Sequence, residues 1–118
     1  MGQKFGRLGS DSNNKKKAQK EERRFAKEIG GKAHPNSGAI DGIKGDGGND
    51  YFVFDHKWTD SKSYILSTTD INKITREARE HGKEPMMGVR FHKGISMGVD
   101  SEWICIPLRV AKDLGVVE

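Results

Sequence analysis

The most constraining feature of the chain is the segment from Tyr51 to Trp58, which reads YFVFDHKW. Its aromatic and β-branched residues favour a β-strand. Because successive side chains of a strand point to opposite faces, Asp55 and Lys57 should point the same way, with α-carbons about 7 Å apart. A buried carboxylate or ammonium is costly without a partner, so we expect the two to share one pocket. The other face would carry residues that can pack on a helix: Phe52, Phe54, His56 and Trp58.

A glycine-rich stretch before this strand supplies a second carboxylate. Asp46 lies between Gly45 and the pair Gly47-Gly48, which allow the backbone to turn closely around it. An aspartate in a hairpin turn and a plain Asp-x-Lys ion pair are both common structural features. Together, however, the two acids and the lysine could hold a divalent metal beside a positive charge. That combination suits the attack of water on a phosphodiester.

The first predicted helix, from about residue 15 to residue 29, adds a third acid. On the helical wheel, Glu22 falls in the middle of the apolar stripe that must face the sheet. An inward-facing glutamate needs a metal or a cation such as Lys57 or an arginine as its partner. Glu21 and Glu28 lie off the stripe, so we expect them in solvent. The opposite side of the helix should offer basic residues to phosphates: Lys16, Lys20, Arg23, Arg24 and Lys27.

The net charge of +4 is unevenly distributed. Residues 1–32 carry ten Lys/Arg against four Asp/Glu, whereas residues 33–118 carry eleven against thirteen. A basic N-terminal segment on a slightly acidic body favours a polyanionic partner, although a merely solubilising tail is the alternative. We expect residues 1–14 to form a flexible basic arm and residues 15–118 to form a single domain.

The distribution of apolar residues and the single cysteine limit the classes of protein to which the chain can belong. No apolar run approaches the ~20 residues that span a bilayer, and the polar N-terminus does not resemble a signal peptide. We therefore expect an intracellular, cytoplasmic protein without membrane contact. Cys105 is the only cysteine, and its apolar neighbours predict a buried, inert thiol. The four histidines show no zinc-ligand spacing.

The remaining pattern predicts an α/β domain with a central mixed β-sheet flanked by helices. A short strand is expected at residues 39–43 and a turn at residues 45–50. A second helix is expected at residues 70–81, with Thr69 or Asp70 as N-cap and Gly82 after its end. Strands at residues 85–92 and 103–108 and a short helix at residues 110–114 would complete the domain.

Two motifs around the predicted strand resemble a known family. KGD at residues 44–46, followed by DHK at residues 55–57, resembles the active-site signature of the PD-(D/E)xK nuclease superfamily. Glu22 with the loop PNSGA at residues 35–39 is similar to the preceding helix and loop of small phage-encoded and archaeal-type Holliday junction resolvases. The likeness extends over roughly residues 20–107, and its specific part is the segment 22–57.

The resemblance implies a restriction-endonuclease-like core that holds two Mg²⁺ or Mn²⁺ ions. Asp46 and Asp55 would be direct ligands together with the backbone carbonyl of His56, and Glu22 would hold the second ion or its waters. Lys57 would orient and help deprotonate the attacking water and stabilise the phosphorane, and Ser37 would contact the scissile phosphate or a bound water. Asp55 is one methylene shorter than the glutamate that is commoner in the resolvases.

The sequence thus predicts a metal-dependent, structure-selective DNA endonuclease that acts on Holliday junctions or other branched DNA. A nicking, restriction-like or single-strand-processing endonuclease with the same pocket remains open, as does a non-catalytic DNA-binding module. An interaction domain with a basic tail is a further alternative. Because the chain is too small to reach both strands of a junction, we expect a homodimer. If the chain is phage-encoded, it would act in the host bacterial cytoplasm.

Overall fold

A computed structural model describes residues 2–33 and 46–118, with side chains described from residue 15 onward. In chain order the elements are α1 (Gly2–Glu28), β1 (Lys32–Ala33), β2 (Gly47–Gly48), β3 (Phe52–Thr59), α2 (Thr68–Glu80), β4 (Glu84–Phe91), β5 (Glu102–Cys105) and α3 (Leu108–Asp113). The prediction of an α/β domain with a mixed sheet and flanking helices is confirmed. Within the described residues, no helix is both long and apolar enough to cross a membrane.

The five strands form one sheet in the order β1-β2-β3-β4-β5. Strands β3 and β4 are parallel, and every other neighbouring pair is antiparallel. Parallel neighbours require a crossover connection, which α2 supplies. Strand β3 lies in the centre of the sheet and is buried along most of its length, so side chains on it are held rigidly.

The alternation predicted for β3 divides the core into two layers. One layer packs under α1 and α3 and consists of Phe25, Ala26, Phe52, Phe54, Met86 and Val110. The other packs under α2 and consists of Val53, Ile74, Ala78 and Met87. The ring of Phe25 lies 4.9 Å from that of Phe54 and 4.7 Å from that of His56, measured between centroids. The predicted packing of the even-numbered β3 side chains on a helix is therefore confirmed.

Helix α1 approaches the sheet closely because Gly88 on β4 has no side chain. A Cβ built at Gly88 would lie 2.8 Å from the ring of Phe25 and 3.0 Å from the ring of His56. No side chain would fit at that position without displacing one of the two rings. The glycine thus fixes the height of α1 above β3.

Helix α1 begins at Gly2, well before the predicted start near residue 15, and so continues through the boundary predicted between arm and domain. Its early residues are weak helix formers, but once a helix exists each added residue gains a hydrogen bond without a new nucleus. Cooperative extension therefore overrides local propensity.

The predicted turn at residues 45–50 also contains a strand. Gly47 and Gly48 pair with β1 on one side and with β3 on the other. Glycine is a poor strand former, but a Cβ at Gly47 would meet the Lys32 carbonyl oxygen at 2.5 Å and the Phe54 ring at 2.6 Å. Glycine is required here because the tertiary contacts leave no space for a side chain. The strand predicted at residues 39–43 lies outside the described residues.

The structure differs from the sequence predictions at the N-cap of α2 and at Cys105. The N-cap of α2 is Ser67 instead of Thr69 or Asp70, and its hydroxyl oxygen accepts a 3.1 Å hydrogen bond from the Asp70 N–H. Cys105 is exposed, contrary to the prediction of a buried thiol. It lies on β5 at the edge of the sheet, where Trp103 and Ile104 are also exposed.

Candidate active site

Strand β3 brings Asp55 and Lys57 together, as its alternation predicted. The Lys57 Nζ lies 3.3 Å from the Asp55 Oδ1. The Asp55 side chain is buried, whereas Lys57 keeps 42% of its side chain exposed. The buried carboxylate thus lies beside an ammonium group that solvent can reach.

Asp46 joins this pair from the residue just before β2. Its backbone N–H donates a 2.9 Å hydrogen bond to the Phe54 carbonyl, and its Oδ2 accepts a 2.8 Å hydrogen bond from the His56 N–H. The carboxyl groups of Asp46 and Asp55 also share a hydrogen bond. Asp46 is therefore fixed beside the central strand and is not free in a turn.

The electrostatics of the pocket follow from these contacts. Burial raises the pKa of Asp46 to about 8, with the Asp55 charge, the hydrogen bond to Asp55 and the Glu22 charge acting in the same direction. The hydrogen bond from the His56 N–H opposes the rise in pKa but does not cancel it. At neutral pH the metal-free pocket therefore holds a proton on Asp46. Clustered acids of this kind are stabilised by a cation.

Lys57 remains an ammonium in the same environment. Burial lowers its pKa, but the charges of Asp55 and Asp46 and the hydrogen bond to Asp55 outweigh burial and raise it. In this state Lys57 can stabilise negative charge but cannot accept a proton. The proton-accepting role that the resemblance implied would require the neighbouring carboxylates to be neutralised first.

Glu22 on α1 lies close enough to the pocket for its charge to raise the Asp46 pKa. It is half-buried on the sheet side of the helix, as the helical wheel predicted. Helix, turn and central strand thus bring Glu22, Asp46, Asp55 and Lys57 to one region. Ser37 lies outside the described residues.

No motif in the sequence points to Tyr64, which lies in the loop between β3 and α2. Its hydroxyl is 3.4 Å from the Asp70 Oδ2. Burial raises the Tyr64 pKa, and the Asp70 and Asp55 charges act in the same direction, whereas the Lys57 charge lowers it. Tyr64 is therefore a neighbour of the pocket, and only the loop conformation reveals it.

The prediction that Glu21 is solvated was wrong. Arg24 Nη2 lies 2.9 Å from the Glu21 Oε2, and Arg90 Nη1 lies 3.0 Å from the Glu21 Oε1. Although burial raises the pKa of Glu21, the two arginines outweigh it and lower the pKa overall. The helical wheel counts apolar neighbours only and could not anticipate a cation supplied by β4.

Arg24 is likewise not on the outer side of α1, where it was predicted to meet phosphates. It pairs with Glu21 and with Glu102 of β5, and the same Glu102 Oε2 lies 3.0 Å from the His56 Nε2. Burial lowers the pKa of His56, so the ring is biased towards its neutral form. We call this set the β3-support network; its members are Glu21, Arg24, His56, Arg90 and Glu102.

Three potential ligand atoms of the β3-support network, from Glu21, His56 and Glu102, lie within 4.8 Å of one another. A metal ion there would have to compete with Arg24 and Arg90, which already neutralise the two carboxylates. The network is better suited to hold α1 against β3. It thereby positions Glu22, which follows Glu21 on α1, and also Asp55 and Lys57, which flank His56 on β3.

Exposed basic residues remain on the outer side of α1, as predicted, apart from Arg24: Lys16, Lys20, Arg23 and Lys27. Lys17 lies with its Nζ 5.7 Å from the centre of the Trp58 ring. This distance suits a cation–π contact between helix and sheet. The exposed residues can contact a polyanion without disturbing the core.

Changing Arg24 to Gln should lower the free energy of unfolding by about 1–3 kcal/mol, because the half-buried carboxylates of Glu21 and Glu102 would lose their shared cation. Urea denaturation measures the change. The matched control is Arg109 to Gln, which breaks exposed ion pairs with Glu84 and Asp113 and should leave the stability nearly unchanged. Equal losses in the two variants would contradict a supporting role for the network.

Comparison with protein-family models finds no match for the chain, and comparison with curated proteins finds none either.

Proposed function

We propose that the chain is a metal-dependent DNA endonuclease with a restriction-endonuclease-like core, which hydrolyses phosphodiester bonds of branched DNA such as Holliday junctions. One observation carries the proposal. The Asp55 carboxylate lies 3.3 Å from the Lys57 ammonium on the central strand, and a second carboxyl group, that of Asp46, is hydrogen-bonded to Asp55. A purely structural ion pair needs one acid for one base, so a structural role for Asp55 and Lys57 does not require a second acid beside them.

The donor set fits Mg²⁺ or Mn²⁺ because its atoms are oxygens. Asp46, Asp55 and the backbone carbonyl of His56 would hold the ion, and Glu22 would hold a second ion or its waters. The raised pKa of Asp46 supports this assignment, since burial, together with the charges of Asp55 and Glu22, disfavours its carboxylate form unless a cation is bound. A bound ion of this kind polarises a phosphoryl oxygen and lowers the pKa of a bound water.

The protein side chains have separate tasks in hydrolysis. Lys57 is cationic and partly exposed, so its Nζ can contact the phosphate and stabilise the charge that develops on the phosphorane oxygens. Asp46 must release its proton, and its pKa of about 8 allows this near neutral pH. The β3-support network fixes the backbone between Asp55 and Lys57, which keeps the two side chains oriented towards the same phosphate.

DNA binding would come from the exposed basic side of α1. Lys16, Lys20, Arg23 and Lys27 contact solvent, and such residues bind phosphates without reading bases. Their affinity for DNA should fall steeply with salt. The preference for branched DNA rests on the resemblance to junction resolvases, as does hydrolysis that leaves a 5′-phosphate. A homodimer would supply one pocket for each strand to be cut.

The proposal is tested with end-labelled four-way junction, duplex and single-stranded DNA, each incubated with the purified chain in Mg²⁺, Mn²⁺ or EDTA. We expect cleavage that needs the metal and that is fastest on the junction. Cleavage of duplex or single strands at an equal rate would favour a nicking or restriction-like endonuclease with the same pocket. Binding without any metal-dependent product would favour a non-catalytic DNA-binding module and would refute the nuclease proposal.

A further inference from the structure

A cavity of about 400 Å³ adjoins the candidate active site on the same face of the sheet. Val53 of β3 lines this cavity, and its side chain belongs to the core layer that packs under α2 with Ile74 and Ala78. The cavity therefore lies on the α2 side of the sheet. Because β3 alternates with a period of two, Asp55 projects from the same face, about 7 Å further along the strand.

The segment that carries Asp46 continues directly into the cavity wall. Gly48, which lines the cavity, follows Asp46 by two residues and pairs with Val53 of β3. A Cβ added at Gly31, which also lines the cavity, would overlap the Gly48 carbonyl oxygen. Glycine at Gly31 is therefore required, and glycine at both positions keeps this part of the wall free of side chains. The cavity and the candidate active site thus share β3 and the residues around β2.

Asn49 holds this wall in a fixed position. Its Nδ2 donates a 2.9 Å hydrogen bond to the Ile29 carbonyl, and its Oδ1 accepts hydrogen bonds from the N–H groups of Tyr51 and Phe52. Its backbone carbonyl accepts a 2.6 Å hydrogen bond from the Lys83 Nζ. Because these bonds exist before any ligand binds, little ordering of this wall would oppose binding.

Two lysines give the cavity a net positive charge. Lys32 is exposed on β1, and Lys83 is half-buried just after α2. Asp50 also lines the cavity, but within residues 2–33 and 46–118 neither lysine forms an ion pair with it or with another carboxylate. The partner of the Lys83 ammonium is the neutral Asn49 carbonyl. A half-buried cation without a counter-charge favours the binding of an anion.

A structural role as helix caps is the ordinary alternative for these lysines, because α1 and α2 both end near the cavity and cations stabilise helix C-termini. Backbone N–H groups, however, already occupy the carbonyls at these ends. Lys27 of α1 accepts from the Gly30 N–H, and Ala78 of α2 accepts from the N–H groups of His81 and Lys83. The Lys83 side chain is bonded to Asn49 and not to a helix carbonyl. Helix capping therefore does not account for the lysine side chains.

We propose that this cavity binds a second phosphodiester group of the DNA strand, one or two nucleotides from the bond that is cut. The inference rests on the proposed function for its DNA ligand, but not on hydrolysis. Successive phosphates of one strand advance by about 3.4 Å along the helix axis, which agrees with a site about 7 Å from Asp55. Lys32 and Lys83 would contact the phosphate oxygens. A volume of about 400 Å³ also leaves room for part of the adjoining sugar.

Neutralising single phosphates of the DNA tests the site. In a labelled four-way junction, one methylphosphonate at a time replaces a phosphate, and binding is measured in EDTA so that no strand is cut. For the wild type, one linkage near the cleavage position should weaken binding about tenfold when neutral. Lys32→Gln should bind the unmodified junction about tenfold more weakly and should lose this sensitivity, because the contact is already absent. Lys32→Arg keeps the charge and should retain the wild-type pattern.

The matched control is Lys112→Gln, which makes the same charge change at an exposed position of α3, on the other face of the sheet. It should keep the wild-type sensitivity to the neutral linkage. Equal sensitivity of wild type and Lys32→Gln at every linkage would overturn the site, even if the junction is cut. The full pattern without metal-dependent cleavage would support the site and refute hydrolysis. Absence of any DNA binding would refute both.

Discussion

Asp55→Asn is expected to lower the rate of metal-dependent DNA cleavage by at least about 10³-fold, which corresponds to about 4 kcal/mol of transition-state stabilisation. Asparagine has nearly the same shape, but it lacks the negative charge that would hold the metal. Asp55 also lies 3.3 Å from the Lys57 Nζ, so the substitution releases the ammonium from its fixed position. Single-turnover cleavage of a labelled junction measures the loss.

Binding of the junction should be nearly unaffected by the same substitution, because Lys16, Lys20, Arg23 and Lys27 lie on the outer side of α1. We expect a dissociation constant within about threefold of the wild-type value at equal salt. Asp60→Asn, an exposed aspartate just after β3, is the matched control and should cut normally. Cleavage by Asp55→Asn at more than about a tenth of the wild-type rate would contradict the assigned role.

The parts of the site that could be predicted are those governed by local periodicity. A strand alternates with a period of two, so the sequence from Phe52 to Lys57 was sufficient to place Asp55 and Lys57 on one face and the phenylalanines on the other. The helical wheel likewise placed Glu22 on the sheet side of α1. Neither placement depends on residues that are distant in the sequence.

The parts that were missed depend on register between distant elements. The sequence predicts Glu21 in solvent and Arg24 facing phosphates, because their partners, Arg90 and Glu102, come from β4 and β5 and are not visible in the helix pattern. The apolar neighbours of Cys105 predict a buried thiol, yet within the described residues β5 is an edge strand and Cys105 is exposed on it. No local pattern distinguishes an edge strand from a central one.

Without metal, the free energy of unfolding of the wild type should contain a contribution from Asp46 that falls as the pH rises. Asp46 has a pKa of about 8 in the fold against a reference value of 3.8. Between these values the folded state binds more protons at this site than the unfolded state, so raising the pH favours unfolding. The contribution is complete below the lower value and is lost by about pH 8.

Asp46→Asn removes this contribution. In EDTA, the free energy of unfolding of the variant should therefore rise relative to that of the wild type as the pH increases from about 5 to about 8. The lowered pKa of His56 has the opposite effect, since stability from that group rises with pH, but it is present in both proteins and largely cancels in the difference. Urea denaturation across the pH range measures the two curves. Asp50→Asn, an exposed aspartate after β2, is the matched control and should retain the wild-type slope.

Mn²⁺ should reverse the trend in the wild type, because the ion binds the deprotonated pocket of the folded state and stabilises it by mass action. The metal-induced increase in Tm should therefore be larger at about pH 8 than at about pH 6, and it should be much smaller in Asp46→Asn. Parallel pH curves for wild type and Asp46→Asn in EDTA would show that Asp46 does not hold the proton. An equal response of both proteins to Mn²⁺ would show that Asp46 is not a ligand.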